Sequence, residues 1–258
     1  MPIATIRFHG VLNFFLPRHQ RKQIIAHHFD WRTSIKDMLE SLGPPHPEMA
    51  MLVVNGHSVD FDIIVAPDDH IEVYDRFDPV SVPDAVRLRP EYGGRPRFVL
   101  DTHLGRLANY LRMLGFDTLY RNDYVDDGMA HISHHEQRIL LTRDIGLLKR
   151  SLVVYGYYVR ETNPKRRIVE VMHRFNLHEL VAPFRRCTRC NGLLRAVHKS
   201  DILPHLSQAT MIYYDEFHQC ASCHQVYWKG SHFDHLQRFM GEVLNDDQRT
   251  TSASDSRT

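Results

Sequence analysis

The chain has 258 residues, 43% of them hydrophobic and 24% charged, with a formal net charge of +1, an ordinary soluble composition with length for two or three cores. No apolar run reaches the roughly 18 to 20 residues of a membrane-spanning helix, and the N-terminus lacks a basic stretch leading into a long apolar one, so a helical membrane protein is excluded and a cytosolic one is expected. The charge is unevenly spread: residues 30–91 carry 13 acidic and 5 basic side chains, net −8, whereas 138–195 carry 13 basic and 4 acidic, net +9, a pattern that suits either a polyanion-binding half beside an acidic one or two solvated faces of opposite sign.

In chain order, residues 4–16 and 23–29 alternate apolar and polar positions and predict two strands around a turn at 17–22. Thr33 or Ser34 suits the N-cap of a short helix with Ile35, Met38, Leu39 and Leu42 at helical spacing, ended by Gly43, Pro44 and Pro45. Strands at 51–54 and 71–74 follow, with Asn55-Gly56 as a turn signal. Strand, strand, helix, strand, strand is the order of a β-grasp, ubiquitin-like domain, predicted over 1–78. The segment from Val54-Asn55-Gly56 to Asp69-His70-Ile71-Glu72-Val73 resembles small sulfur carriers of that fold. Such carriers are activated at a C-terminal Gly-Gly, and here Gly93-Gly94 is internal, so a docking or structural role is expected instead.

Residues 79–97, with four prolines and no periodicity, read as a linker. Phe98, Val99 and Leu100 form a wholly apolar run of the kind found in central parallel strands, and Asp101 follows directly. Leu104, Leu107, Ala108, Leu111 and Leu114 keep helical spacing up to Gly115, a helix C-cap. A strand at 117–120, a helical stretch that follows Asp126-Asp127-Gly128 and reaches about Gln137, a buried strand at 138–142, a short helix at 145–150, a strand at 152–159 and a helix at 164–175 complete the pattern. Alternating units of this length predict a three-layer αβα domain with a parallel sheet over 98–182. Residues 183–244 hold all four cysteines, and 245–258 are polar and predicted to be disordered.

Open α/β sheets carry their ligand crevice at the carboxyl ends of the strands. Asp101 and Asp144 follow buried strands and Asp127 opens a helix, so three separate elements offer carboxylates to one divalent ion. Mg²⁺ is characteristically held by a few carboxylates with open positions left for water and substrate. Each aspartate taken singly also suits an N-cap or loop.

Asp101, Leu104-Gly105-Arg106-Leu107-Ala108, Leu111-Arg112-Met113-Leu114-Gly115-Phe116-Asp117, Asp127 and Arg138-Ile139-Leu140-Leu141-Thr142-Arg143-Asp144 resemble the Mut7-C family of PIN-type ribonuclease domains, known also with a ubiquitin-like domain in front and a zinc ribbon behind. The likeness runs from Phe98 to about His232, through Tyr227-Trp228-Lys229-Gly230. It implies a PIN-like fold and metal-dependent RNA cleavage, with Asp101, Asp127 and Asp144 matching the acidic positions and holding Mg²⁺ or Mn²⁺. Where PIN nucleases often carry a further acid, this chain has Ile145-Gly146-Leu147; Asp117 or Asp123 can substitute, or the site holds one ion. The same departure supports the alternative, a non-catalytic RNA- or ribosome-binding module.

Arg106 and Arg143 can contact phosphate or pair with these acids, and Arg112 suits structural pairing. Lys165, Arg166 and Arg167 can track an RNA backbone or form a solvated helix face. Cys187-Thr-Arg-Cys190 and Cys220-Ala-Ser-Cys223 supply four thiolates in two knuckles, the ligand set of a structural Zn²⁺ site, with His224 as a spare ligand. The expected partners are RNA, and a protein partner for the acidic ubiquitin-like domain.

Overall fold

The computed structural model describes residues 1–230, except Trp31, Ser81 and Pro83, together with Gly241. The tail expected to be disordered lies outside the described residues. Among these residues, no helix is long and apolar enough to cross a membrane.

The N-terminal sheet comprises β1 (Ile3–Phe8), β2 (Ile24–His28), β3 (Met51–Val54), β4 (His57–Val59) and β5 (His70–Tyr74), in the order β2-β1-β5-β3-β4. β1 and β5 are parallel and the other neighbours antiparallel, which is the β-grasp arrangement expected from the element order. Alternation turns Ala4, Ile6 and Phe8 inward, where they meet Ile35, Met38 and Leu39 of α1 (Ile35–Ser41). Ser34 is the N-cap, accepting the Asp37 N–H at 3.1 Å. Asn55 and Gly56 both take positive φ, 51° and 84°, as the tight turn between β3 and β4 requires.

The first strand stops at Phe8, short of the predicted residue 16. Gly10 turns the chain with φ 56°, and Gly10–Phe15 is a 3-10 helix. Asn13 supports it, donating to the Phe8 carbonyl at 2.8 Å and accepting the Lys22 N–H at 2.6 Å. Leu12 and Leu16 still reach the core, so apolar spacing imitated a strand where a turn buries the same side chains.

The second sheet is built from β6 (Arg97–Leu100), β7 (Asp117–Tyr120), β8 (Ile139–Thr142) and β9 (Gly156–Tyr158), in the order β7-β6-β8-β9. β6–β8 and β8–β9 are parallel, pairing Leu100 with Leu141 and Thr142 with Tyr158. Phe98, Val99, Leu100, Leu140 and Leu141 are fully buried, as in a parallel sheet covered on both faces. The strand predicted at 152–159 is shorter, starting at Gly156. Between the strands lie α2 (Gly105–Met113), α3 (Asp126–His135) and α4 (Ile145–Leu148). Gly115 ends the helical turn with φ 88°, and a Cβ there would lie 2.0 Å from the Ala182 carbonyl oxygen.

The chain divides into two compact units. The first joins Met1–Gly105 to Tyr120–Arg160, so the β-grasp sheet shares a unit with β6, β8 and β9. Part of 79–97 is laid along this unit: Leu88 packs on the β-grasp core, Val86 N–H donates to Ser58 Oγ at 2.9 Å, and the Tyr92 hydroxyl donates to the Gln137 carbonyl at 2.7 Å. The second unit gathers Arg106–Leu119 and the described residues from Glu161 onward. It contains α5 (Pro164–Arg174), capped by Asn163, and an antiparallel sheet ordered β10 (Leu194–Val197), β11 (Phe217–Cys220), β12 (Val226–Trp228). Two short helices, α6 (Lys199–Ile202) and α7 (Gln208–Tyr213), lie between β10 and β11. A small core of Ile202, Phe217 and Val226, flanked by Leu206, Tyr214 and Trp228, holds this part together, so Trp228 is a packing residue.

Candidate active site and metal centre

Because β6 and β8 are adjacent, parallel and in register, the residues that follow them leave the sheet side by side. Thr142, the last residue of β8, donates its hydroxyl to Asp101 Oδ2 at 2.7 Å and accepts the Asp144 N–H at 2.9 Å. One hydroxyl thus joins the two acids that follow the two strands. Asp101 is only 7% exposed, and its Oδ1 accepts from the Thr102 N–H at 2.5 Å and the Thr102 hydroxyl at 3.1 Å. Asp144 Oδ1 caps α4, accepting from Gly146 N–H at 2.6 Å and Leu147 N–H at 3.2 Å. Its Oδ2 has no hydrogen-bond partner among the described residues. Gly146, where a further acid was sought, is instead a donor to Asp144, and a Cβ there would sit 3.1 Å from Asp144 Oδ1.

Asp127 lies in the first turn of α3 with its side chain 77% exposed, paired to Arg150, whose guanidinium also reaches Asp126 at 4.0 Å. Among the described residues, one group of three or more His, Cys, Asp or Glu side chains has all its ligand atoms within 4.8 Å, the four cysteines. The three aspartates are not gathered that closely. Asp117 and Asp123 are committed elsewhere: Asp117 binds Arg186 at 2.9 Å and Asn191 at 2.8 Å, and Asp123 forms an exposed pair with Arg121 at 2.6 Å.

The candidate cations differ in their surroundings. Arg143 Nη1 donates to the Val159 and Arg160 carbonyls at 2.7 and 2.9 Å, and its guanidinium carbon lies 5.7 Å from the Tyr158 ring centre. Arg106 is exposed on α2. Lys165 and Arg166 are exposed at the start of α5, while Arg167 Nε donates to the Glu161 carbonyl at 2.9 Å. Arg150 was not singled out from the sequence, since a basic residue 23 positions after Asp127 carries no local signature of its partner.

The cysteines converge from two copies of one turn. Cys187 Sγ lies 3.6 Å from Cys223 Sγ, and Cys190 Sγ 3.4 Å from Cys220 Sγ. Four thiolates around Zn²⁺ at ~2.3 Å would stand ~3.8 Å apart, so the donor set fits that ion with small adjustments. In each knuckle the first cysteine's sulfur accepts backbone N–H groups, from Cys190 at 3.4 Å and from Ser222 and Cys223 at 3.4 and 3.5 Å. The residue after the second cysteine takes positive φ in both, Asn191 at 67° and His224 at 58°. His224 is therefore a turn residue, outside the four-sulfur group.

Burial pushes the Cys190 thiol up to about 12. Burial also raises Cys220, but the Cys223 and Ser222 amides outweigh it and bring that thiol down to about 7. The Tyr227 hydroxyl stands 3.1 Å from Cys187 Sγ and accepts the Thr188 N–H at 3.1 Å, so it would support Cys187 as a ligand without itself being one.

The first knuckle is tied to the α2–β7 segment of its own unit. Asn191 Nδ2 donates to Asp117 Oδ1 and its Oδ1 accepts the Thr118 N–H at 2.9 Å. Arg112, 5% exposed, donates to the Thr118 and Thr188 carbonyls, both at 2.9 Å. These acceptors are backbone carbonyls of its own unit. Arg112→Met should leave those carbonyls unpaired and lower stability by about 2–4 kcal/mol, read from denaturant unfolding of the zinc-loaded chain. A change below about 0.5 kcal/mol would show the ties to be dispensable.

The Mut7-C ubiquitin family matches residues 1–81 and the Mut7-C RNAse domain matches residues 96–240. No curated protein and no solved structure matches the chain. More than half of the sequence lies within the second match, and the chain belongs to the Mut7-C RNAse domain family, preceded by a Mut7-C ubiquitin domain.

Proposed function

We propose that this protein is a metal-dependent ribonuclease hydrolysing RNA phosphodiester bonds, with a PIN-like core over 98–182 between a ubiquitin-like domain at 1–78 and a zinc ribbon at 183–244. The observation that carries the proposal is the Thr142 hydroxyl, which ties Asp101 to Asp144 at the carboxyl ends of adjacent parallel strands. Carboxylate oxygens are hard donors suited to Mg²⁺ or Mn²⁺, and Asp144 Oδ2 is free to ligate, so these residues fit such an ion. Asp127 is the third acid assigned to it, with one oxygen engaged by Arg150. When bound, the ion lowers the pKa of a water for attack on phosphorus and neutralises charge on the phosphate.

The chain's own residues do the positioning. Thr142 and Thr102 orient Asp101, and the first turn of α4 orients Asp144 while leaving one of its oxygens exposed to the ion. Arg106, with Lys165, Arg166 and Arg167, is assigned to phosphate contacts, while Arg143 is held by the Val159 and Arg160 carbonyls. Four free cysteines suit a reducing compartment, and we assign the protein to the cytoplasm with RNA as its partner. A protein partner is assigned to the acidic ubiquitin-like domain.

Thr142→Val tests the assignment, because it removes the bridging hydroxyl and keeps the β-branched shape. Cleavage of mixed RNA substrates in Mg²⁺ or Mn²⁺ should fall about 10–100-fold, and Thr142→Ser should restore most of it. An unchanged rate for the valine variant would count against the site. A second reading, an RNA-binding module without catalysis, draws on Asp127 being paired with Arg150 and standing apart from a tight three-acid cluster. RNA binding without metal-dependent cleavage by the parent chain would select it.

A further inference from the structure

Glu48 belongs to the ubiquitin-like domain, in the short 3-10 helix His46–Glu48, yet it is 0% exposed. Its Oε1 accepts the Tyr158 N–H at 2.7 Å and its Oε2 accepts from Arg160 Nη2 at 3.0 Å. β9 is an edge strand, with β8 on its other side, so the carboxylate occupies a backbone donor that would otherwise face an unpaired sheet edge. The Arg160 guanidinium lies 5.4 Å from the Phe14 ring centre, 5.2 Å from Phe15 and 5.0 Å from Tyr157, within cation–π range. Phe14 and Phe15 also come from the ubiquitin-like domain, and both rings touch Tyr158, at 5.5 and 5.6 Å. One carboxylate and two aromatic rings of this domain therefore hold residues 158–160.

Those residues in turn hold the neighbour of a candidate catalytic acid. The Val159 and Arg160 carbonyls accept hydrogen bonds from Arg143, and Arg143 immediately precedes Asp144. We propose that the ubiquitin-like domain is a positioning part of the nuclease site: Glu48 fixes the end of β9, the end of β9 fixes Arg143, and Arg143 sets the direction in which the Asp144 carboxylate leaves β8. The inference rests on the assignment of Asp144 to the ion. A buried ion pair costs desolvation and is a weak source of stability, and one attested use of such pairs is to impose a unique arrangement. That is its role here, and it accounts for a β-grasp domain sharing a compact unit with the nuclease strands.

The test uses the full-length, zinc-loaded chain, with Mn²⁺ binding followed by the electron paramagnetic resonance of free Mn²⁺ and hydrogen exchange followed over 139–148 and 156–160. Glu48→Ala should speed exchange in both segments, weaken Mn²⁺ binding on the order of tenfold, and lower kcat with little change in KM for RNA, at unchanged zinc content and circular dichroism. Glu48→Gln, which keeps an acceptor for the Tyr158 N–H without the charge, should fall between it and the parent; it decides the matter on the same readouts if the alanine variant does not fold. Faster exchange at 156–160 with Mn²⁺ affinity unchanged, while Asp144→Asn loses Mn²⁺, overturns the coupling and leaves the site standing. No Mn²⁺ binding by the parent chain overturns the site itself, and the coupling with it.

Discussion

Asp101→Asn and Asp144→Asn are each expected to lower metal-dependent RNA cleavage about 10²–10³-fold, the scale seen when a group stabilising transition-state charge is removed from a preorganised site. Asparagine keeps the shape of aspartate and removes the charge that would hold the ion. The two variants should differ in stability, because the two carboxylates are used differently. Both oxygens of Asp101 accept hydrogen bonds, from Thr102 and Thr142, so an amide NH₂ there must face a donor and should cost about 1–3 kcal/mol. Among the described residues only Oδ1 of Asp144 is engaged, in capping α4, so Asp144→Asn can place its NH₂ on the open side with little cost. Steady-state cleavage assays beside thermal unfolding separate the two effects. Full activity in both variants would remove these residues from the chemistry.

Stripping zinc, or replacing Cys187 or Cys220 with serine, is expected to unfold the ribbon. Among the described residues the buried apolar side chains of its own core are Ile202, Phe217 and Val226, a small core of the kind that usually needs a staple. Binding of structural zinc supplies ~10–16 kcal/mol in isolated zinc-finger peptides at neutral pH, far more than so small a core provides. The loss should extend to α2 and β7, whose Thr118 and Asp117 depend on Asn191, the residue that turns the first knuckle. The parent chain should release one zinc per chain to a thiol reagent, and hydrogen exchange over 217–220 should collapse after chelation. Retained protection in the metal-free chain would show that the cysteines close a turn without carrying its stability.

Much of this architecture is readable where the cause is local. The apolar runs at 98–100 and 139–141 announce buried parallel strands, because only strands covered on both faces tolerate unbroken hydrophobic residues. Asn55-Gly56 announces its turn through positive φ, and Ser34 its helix through the cap. The stretch at 10–15 was misread as strand for a related reason: apolar spacing records which side chains are buried and is blind to whether a turn buries them. Arg143, considered for phosphate, is engaged in the structure by the carbonyls that follow β9.

By itself the sequence determined the spacing that makes two cysteine knuckles, the alternation that makes a β-grasp sheet and a parallel one, and an aspartate after each of two central strands, all consequences of residues near one another in the chain. Only the tertiary structure decided which charges meet. Thr142 reaches Asp101 across 41 residues, Asp127 finds Arg150, Asp117 is drawn to the first knuckle, and Glu48 closes on Arg160 across 112. A charged side chain carries no record of its partner, and strand register and the docking of one sheet edge choose among the many that its chemistry would accept.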